Sequence, residues 1–128
     1  MPVKVGIDLM RYDEVRVSLA AHGERYLERI YTDAEQFDSG SSPRRLAARF
    51  AAKEATRKVL VQGDEPLPWR SIGVCEHPGG RASIELSGEA AALAERRGVR
   101  RLDVSLTHRR EVAAAVVVAE LEDPEADR

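Results

Sequence analysis

Apolar and polar positions alternate from the start of the chain. Val3, Val5, Ile7 and Leu9 fall on one side and Lys4, Gly6 and Asp8 on the other. This period of two predicts a half-buried strand over residues 3–9, with Asp8 near its C-terminal end on the less apolar face. Residues 13–30 change to a helical period, with a break or bend at His22-Gly23. Thr32-Asp33-Ala34-Glu35 is a capping box: Thr32 can accept from the third backbone amide while Glu35 reaches back. A short helix should follow and stop near residues 38–41. Ser42-Pro43 then opens the strongest helix of the chain, because serine suits the N-cap and proline at the first helical position loses no needed hydrogen bond. The alanine-, leucine- and arginine-rich run from Arg44 to Val61 continues it, and Gly63 is placed to end it.

The second half reads as loop and sheet with one more helix. Residues 63–69 form a loop, and short strands are predicted at 72–76 and 82–86 around the turn His77-Pro78-Gly79-Gly80. Ser87 should cap a helix running through Arg97, with Gly98 as its stop. Leu102–Leu106 and Val112–Leu121 form a closing hairpin about Thr107-His108-Arg109-Arg110. The second arm is apolar on both faces (Ala113, Ala115 and Val117 against Ala114, Val116 and Val118), the mark of a central strand. Asp123-Pro124-Glu125 begins a polar tail. The expected fold is therefore α+β, a single compact domain over 1–122 with a tail at 123–128, in which one long helix packs on an antiparallel-rich sheet.

Composition narrows the function classes. The 128 residues are 43% hydrophobic and 33% charged, with a formal net charge of -2. That balance suits a globular protein and excludes a strongly cationic coat for nucleic acid. The single cysteine, Cys75, cannot form an internal disulfide and reads as a small core residue rather than a nucleophile. No signal core or membrane-length apolar run is present, so the expected location is cytoplasmic.

Two carboxylates stand in unusual places. On a wheel of about 100° per residue, Phe50, Ala47, Ala51 and Val61 surround Glu54, and Lys58 follows one turn later. Arg45, Arg49 and Thr56 take the opposite, solvent side. A carboxylate on an apolar stripe costs stability unless something compensates it. An ordinary Glu54–Lys58 pair at i, i+4 accounts for it as well as a functional role does. Asp8, on a separate element, could simply cap the next turn. Together, two carboxylates and water make a site suited to magnesium, which borrows further oxygens from substrate phosphates, provided the long helix crosses the first strand.

Charge is uneven as well. Residues 44–58 hold Arg44, Arg45, Arg49, Lys53, Arg57 and Lys58 against one acid, Glu54, which points to an anionic ligand such as a phosphate-rich cofactor. Nucleic acid is the competing ligand, but aromatics total only 5% and do not interleave with the arginines, against a single-strand stacking platform. His22 and His77 read as surface residues. His108, beside Thr107, Arg109 and Arg110, could bind phosphate, although a polar turn needs no function. There is no zinc-ligand spacing, Walker loop, dinucleotide fingerprint or hydrolase elbow.

Taken together, Val5-Gly6-Ile7-Asp8-Leu9, Tyr31-Thr32-Asp33-Ala34-Glu35, Arg49-Phe50-Ala51-Ala52-Lys53-Glu54-Ala55 with Lys58, and Ser105-Leu106-Thr107-His108 leading into Ala113-Ala114-Ala115 resemble the holo-(acyl carrier protein) synthase family of phosphopantetheinyl transferases. Their order and spacing cover residues 3 to about 121. The resemblance implies magnesium-dependent transfer of 4'-phosphopantetheine from coenzyme A to a serine of an acidic acyl carrier protein. Asp8 and Glu54 match the family's metal carboxylates, and Lys58 its lysine near the transferred phosphate. His108 matches the histidine near the coenzyme A phosphates, and Arg49 and Lys53 stand where nucleotide contacts are expected. Arg11, Arg16, Arg25 and Arg29 lie where the family docks its carrier, though Asp13, Glu14, Glu24 and Glu28 are interspersed as on an ordinary charged helix. The family's members are typically homotrimers with active sites between subunits.

The chemistry is consistent with these residues, because phosphoryl transfer needs positioning and charge neutralisation more than covalent catalysis. Glu54, directly or through a bound water, is the candidate base for the serine proton. Four positions depart from the family pattern: Arg11 for an acid, Val61 for a glycine, Ala82 for proline, and Arg109 for a small or acidic residue. They suggest altered carrier preference, as in a specialised polyketide or fatty-acid pathway, or reduced activity. A non-catalytic homologue that binds coenzyme A or carrier protein is the alternative reading, and a nucleic-acid-binding module built on residues 44–58 is a third.

Overall fold

The computed structural model describes residues 2–123, and its layers follow from where small residues lie. Strand β1 (Val3–Arg11) pairs antiparallel with β5 (Val112–Leu121), which pairs on its other edge with β4 (Val99–Arg109), so the three-stranded sheet has the order β1-β5-β4. The apolar β5 is central, as its two-faced pattern predicts. Its inward residues Ala113, Ala115, Val117 and Ala119 are buried beneath helix α4 (Pro43–Leu60). The helix offers Ala47, Ala48, Ala51, Ala52 and Ala55 in return, all buried. Small side chains on both partners let helix and sheet approach closely. Gly6 takes this furthest: an added Cβ would stand 2.1 Å from the Ala55 carbonyl oxygen, so only glycine fits there.

Around this layer the chain adds α1 (Tyr12–His22), α2 (Glu24–Ile30) and α3 (Asp33–Ser39) before α4. The break between α1 and α2 falls at Gly23, whose φ of 54° requires glycine's freedom. The capping box is formed: Glu35 N–H donates to Thr32 Oγ1 (3.1 Å) and Thr32 N–H to Glu35 Oε1 (2.7 Å). Strands β2 (Ile72–Glu76) and β3 (Ala82–Leu86) make a separate two-stranded sheet with the expected bounds, and α5 (Gly88–Arg96) follows. One core lies between α4, the sheet and α5, around Leu60, Ile72, Val74, Leu93 and Val117. A second, around Val15, Tyr31 and Leu46, lies under α1 and α2.

Several expectations change. Strand β1 runs two residues further, and its apolar side faces out: Val3, Val5, Ile7 and Leu9 are 54–66% exposed, whereas Gly6 is buried and Asp8 and Met10 are half-buried. The close helix contact demands a side chain no larger than hydrogen at position 6, and that selects the inward face. The wheel also needs correction. Arg49 and Thr56 are buried, as is Lys53, while Phe50, Glu54, Arg57, Lys58 and Val61 form the open stripe. A helix wrapped by β1 and β5 on one side and by α3, β2 and residues 69–71 on the other keeps only this narrow stripe open beyond its first turn.

Helix α4 stops at Leu60, with Val61 extended (φ -84°, ψ 129°), so Gly63 is not its terminator. Glu65 holds that turn instead, its carboxylate accepting from the Gln62 and Gly63 amides at 3.3 and 2.7 Å. Ser87 sits at the N-cap of α5 without a side-chain cap; its hydroxyl donates to the Ser71 carbonyl at 3.5 Å. The closing turn is Arg110-Glu111, with Arg110 at φ 54°. Thr107, His108 and Arg109 therefore belong to β4, with His108 opposite Ala113. Asp123, the first residue of the expected tail at 123–128, is the last described residue, and the rest of that tail lies outside the described residues.

Candidate active site

Lys58 joins the first strand to the long helix. Its ammonium donates to the Ile7 carbonyl at 2.8 Å and to Asp8 Oδ1 at 3.2 Å. The Asp8 side chain keeps 18% of its exposure and that of Lys58 51%, so the pair lies at an open edge. Glu54 is one helical turn before Lys58 on the same stripe, which puts the two side chains on one face. Ala55, the residue after Glu54, abuts Gly6, two positions before Asp8 on β1. Asp8 and Lys58 are joined at an accessible edge, and Glu54 is half-buried on the stripe that carries Lys58. Among the described residues no group of three or more His, Cys, Asp or Glu side chains converges. A caged ion would need such a group, whereas magnesium takes one or two carboxylates and fills its shell with water and phosphate oxygens. Asp8 and Glu54 fit that requirement, and Asp8 already accepts a hydrogen bond from the Lys58 ammonium.

A second cluster lies near the N-terminal end of α4. Ser42, Arg44, Arg45, Glu76 and His108 line a pocket of about 270 Å³. Position 108 alternates inward on β4, and Arg44 and Arg45 open the helix whose N-terminus adds its own partial positive charge. Arg49, only 1% exposed, donates to the Arg45 carbonyl at 3.2 Å and pairs with Glu76 at 3.4 Å. Its Nε is buried without a hydrogen-bond partner. Burial lowers the pKa of His108, Arg44 and Arg49 push it the same way, and Glu76 opposes them. Burial and the two arginines thus favour the neutral ring. Tyr12, at the start of α1 and 5% exposed, places its hydroxyl 3.3 Å from His108 Nδ1.

Lys53 lies elsewhere. It is fully buried, pairs with Glu35 at 2.7 Å, and donates to the Trp69 carbonyl at 3.1 Å and to the Ile72 carbonyl. Glu35 Oε2 also accepts from the Val74 amide at 2.8 Å. An ammonium has three donors, and all three are used to tie α4 to α3, to the turn at Trp69 and to β2. The expected nucleotide contact is thus not supported by this geometry. Burial pulls Lys53 below the usual lysine range, with Glu35 opposing.

The four arginines at the expected docking surface are exposed. Arg16 pairs with Asp13 at 2.5 Å and with Glu111 at 3.1 Å. Arg11 ends β1. Arg25 and Arg29 line a pocket of about 260 Å³ with His22, Tyr26, Ile30 and Trp69. Trp69 itself stacks near Phe50 (5.1 Å between ring centroids) and carries the Arg57 guanidinium 4.5 Å above its ring.

Sequence reasoning missed Tyr12, Ser42 as a pocket residue, Glu76 and Trp69. Tyr12 precedes a helical run and reads as ordinary core, and nothing local ties it to a residue 96 positions on. The departures separate by location: Val61 is half-buried at the end of the open stripe, beyond Lys58, while Ala82 pairs with Glu76 on the small sheet.

Comparison with known proteins finds relatives that span nearly the whole chain. The pattern of the 4'-phosphopantetheinyl transferase superfamily matches residues 4–117. The chain is 36% identical over 124 residues to a holo-[acyl-carrier-protein] synthase of Koribacter versatilis, covering 94% of this chain and 99% of that one. It is 39% identical over 123 residues to that of Salinispora arenicola, with the same coverage. Among solved structures, the holo-[acyl-carrier-protein] synthase of Helicobacter pylori in complex with coenzyme A superposes with a TM-score of 0.81 at 26% identity, covering 91% of this chain and all of that one. The enzyme from Mycobacterium tuberculosis is 33% identical with a TM-score of 0.68, covering 92% of this chain and 96% of that one.

Proposed function

The chain belongs to the 4'-phosphopantetheinyl transferase superfamily and is a transferase of the holo-(acyl carrier protein) synthase type, and from that premise we propose how its own residues serve the reaction. It transfers 4'-phosphopantetheine from coenzyme A to a serine of an acidic acyl carrier protein, in a magnesium-dependent step. The observation that supports the site assignment is the Lys58 bridge to Asp8 at an accessible edge, with Glu54 one helical turn before Lys58 on the same stripe.

In this reading Asp8 and Glu54 hold the magnesium, and the ion when bound neutralises charge on the pyrophosphate. Lys58 stabilises the oxygens of the phosphoryl group in transfer. Glu54 accepts the serine proton as the hydroxyl attacks the β-phosphorus, and adenosine 3',5'-bisphosphate leaves. The nucleotide phosphates occupy the pocket of Ser42, Arg44, Arg45 and His108. Arg49 acts from behind it by holding Glu76. Arg11, Arg25 and Arg29 attract the acidic carrier, with Arg16 contributing from its exposed pair, and raised salt weakens that attraction.

The exposed apolar face of β1 supports assembly with further copies of this chain. Val5 lies beside Val118 and Ile7 beside Val116, a continuous patch of the kind that marks an interface. We assign it to the homotrimer typical of the family. Residues 1–122 form the catalytic domain in this reading. Among the described residues no helix is long and apolar enough to cross a membrane, and the cytoplasm, where coenzyme A and carrier proteins meet, is the proposed location. The carrier belongs to fatty-acid or polyketide synthesis.

Incubation with coenzyme A, magnesium and apo carrier protein, read by mass, tests the proposal. A mass gain of one phosphopantetheine on the carrier is expected. No gain with several carriers would favour a homologue that only binds coenzyme A or carrier.

A further inference from the structure

We propose that Tyr12 is a positioning residue for His108, holding the imidazole so that Nε2–H is presented to an anion in the pocket of Ser42, Arg44, Arg45 and Glu76. The inference rests on the reading that this pocket takes the phosphates of coenzyme A.

Two observations carry it. The Tyr12 hydroxyl lies 3.3 Å from His108 Nδ1, with the rings 6.4 Å apart and tilted by 51°, so the contact is a hydrogen bond rather than a stack. Tyr12 is itself fixed. It is 5% exposed, belongs to the core with Val15, Tyr31 and Leu46, and its amide donates to the Glu111 carbonyl at 2.9 Å. That bond ties the start of α1 to the turn between β4 and β5, next to the strand that carries His108. The residue is thus held by packing around its ring and by its backbone bond to the hairpin turn.

The chemistry follows from the two ring nitrogens. A neutral imidazole has one N–H and one lone pair, and the partner of one nitrogen decides which is which. Around His108 stand Arg44 and Arg49 from α4, Glu76 from β2 and Tyr12 from α1. The two guanidiniums disfavour a charged ring. When the Tyr12 O–H donates to Nδ1, the ring proton resides on Nε2, and a donor faces the pocket. If an incoming anion draws a second proton onto the ring, Nδ1–H can donate to the same phenolic oxygen after the hydroxyl rotates. A hydroxyl can serve both states because it is donor and acceptor; phenylalanine can serve neither.

The test is Tyr12→Phe, which keeps the buried ring, in the full-length protein as it assembles. Nitrogen-15 NMR of His108 above its titration should show the proton on Nε2 in the wild type and a mixture of both tautomers in Tyr12→Phe. KM for coenzyme A should rise about three- to tenfold, the size of one lost hydrogen bond, with kcat little changed. A wild-type ring with its proton on Nδ1, or identical tautomers in the two proteins, overturns the positioning role whatever the kinetics. His108→Ala separates this from the underlying reading. If it leaves KM for coenzyme A unchanged while the tautomer difference persists, the placement of coenzyme A at this pocket fails, and the proposal with it.

Discussion

Gly6 and Ala55 touch backbone to backbone, so closely that a methyl group on Gly6 would stand 2.1 Å from the Ala55 carbonyl oxygen and 3.2 Å from a Val59 methyl. This contact sets how closely β1, which carries Asp8, approaches α4, which carries Glu54 and Lys58. Gly6→Ala must push strand and helix apart. Overpacking of this kind costs about 1–3 kcal/mol, occasionally more, and should lower the urea midpoint. Transfer should fall further than the loss of folded protein explains, because the two carboxylates move relative to each other.

Substitutions at the open edge should separate chemistry from folding. Asp8→Asn, Glu54→Gln and Lys58→Met alter exposed or half-exposed groups, so each should fold. Each should reduce phosphopantetheine transfer by roughly a hundredfold or more, measured by the mass of the carrier. EDTA should abolish wild-type transfer and magnesium should restore it. Full turnover of Glu54→Gln with magnesium present would remove Glu54 as the base.

Lys53 should behave differently. Replacing it with methionine strands Glu35 in the interior, where breaking a buried pair costs about 3–5 kcal/mol. The expected result is a large drop in stability. Coenzyme A affinity, measured by calorimetry on the fraction that remains folded, should hold. Weak binding at intact stability would instead make Lys53 a ligand contact.

The pH dependence of stability has a definite sign at His108. Its folded value lies below the ordinary 6.5 because burial and the nearby Arg44 and Arg49 disfavour charge, against the pull of Glu76. Between that lower value and 6.5 the unfolded chain binds the proton and the native chain does not, so stability is fully present above the window and falls as pH falls through it. Urea midpoints measured from about pH 8 to about pH 5 should drop less steeply in His108→Gln than in the wild type.

The outer face of β1 should decide association. Ile7→Asp places a charge in the middle of the patch formed by Val5, Leu9, Val116 and Val118, where burial of an unpaired carboxylate is unfavourable. Sedimentation should show assembly in the wild type and a shift to single chains in the variant. A wild type that sediments as a single chain at all concentrations would remove the trimer from the proposal.

Local chemistry by itself determined most of the elements. The capping box at Thr32–Glu35, the Ser42-Pro43 helix start, the break at Gly23 and the bounds of β2 and β3 depend on neighbours within a few residues, and all are found. The central place of β5 was legible too in its continuous apolar run, of which Ala113, Ala115, Val117 and Ala119 meet α4 while Val116 and Val118 join the outer patch of β1. Asp8 and Glu54 stood out as carboxylates in odd positions, and the family resemblance supplied the rest of that reading.

Tertiary structure decided which faces are inside. The apolar side of β1 is turned out because Gly6 is the one position where the helix backbone can come close. Arg49 and Lys53 are buried because α4 is enclosed on nearly every side, and their charges are offset by Glu76 and Glu35, which lie far along the chain. The Tyr12–His108 pair exists only because the β4–β5 hairpin returns to the start of α1. Periodicity reports which residues can share a face, but only the packing of distant segments says what that face meets.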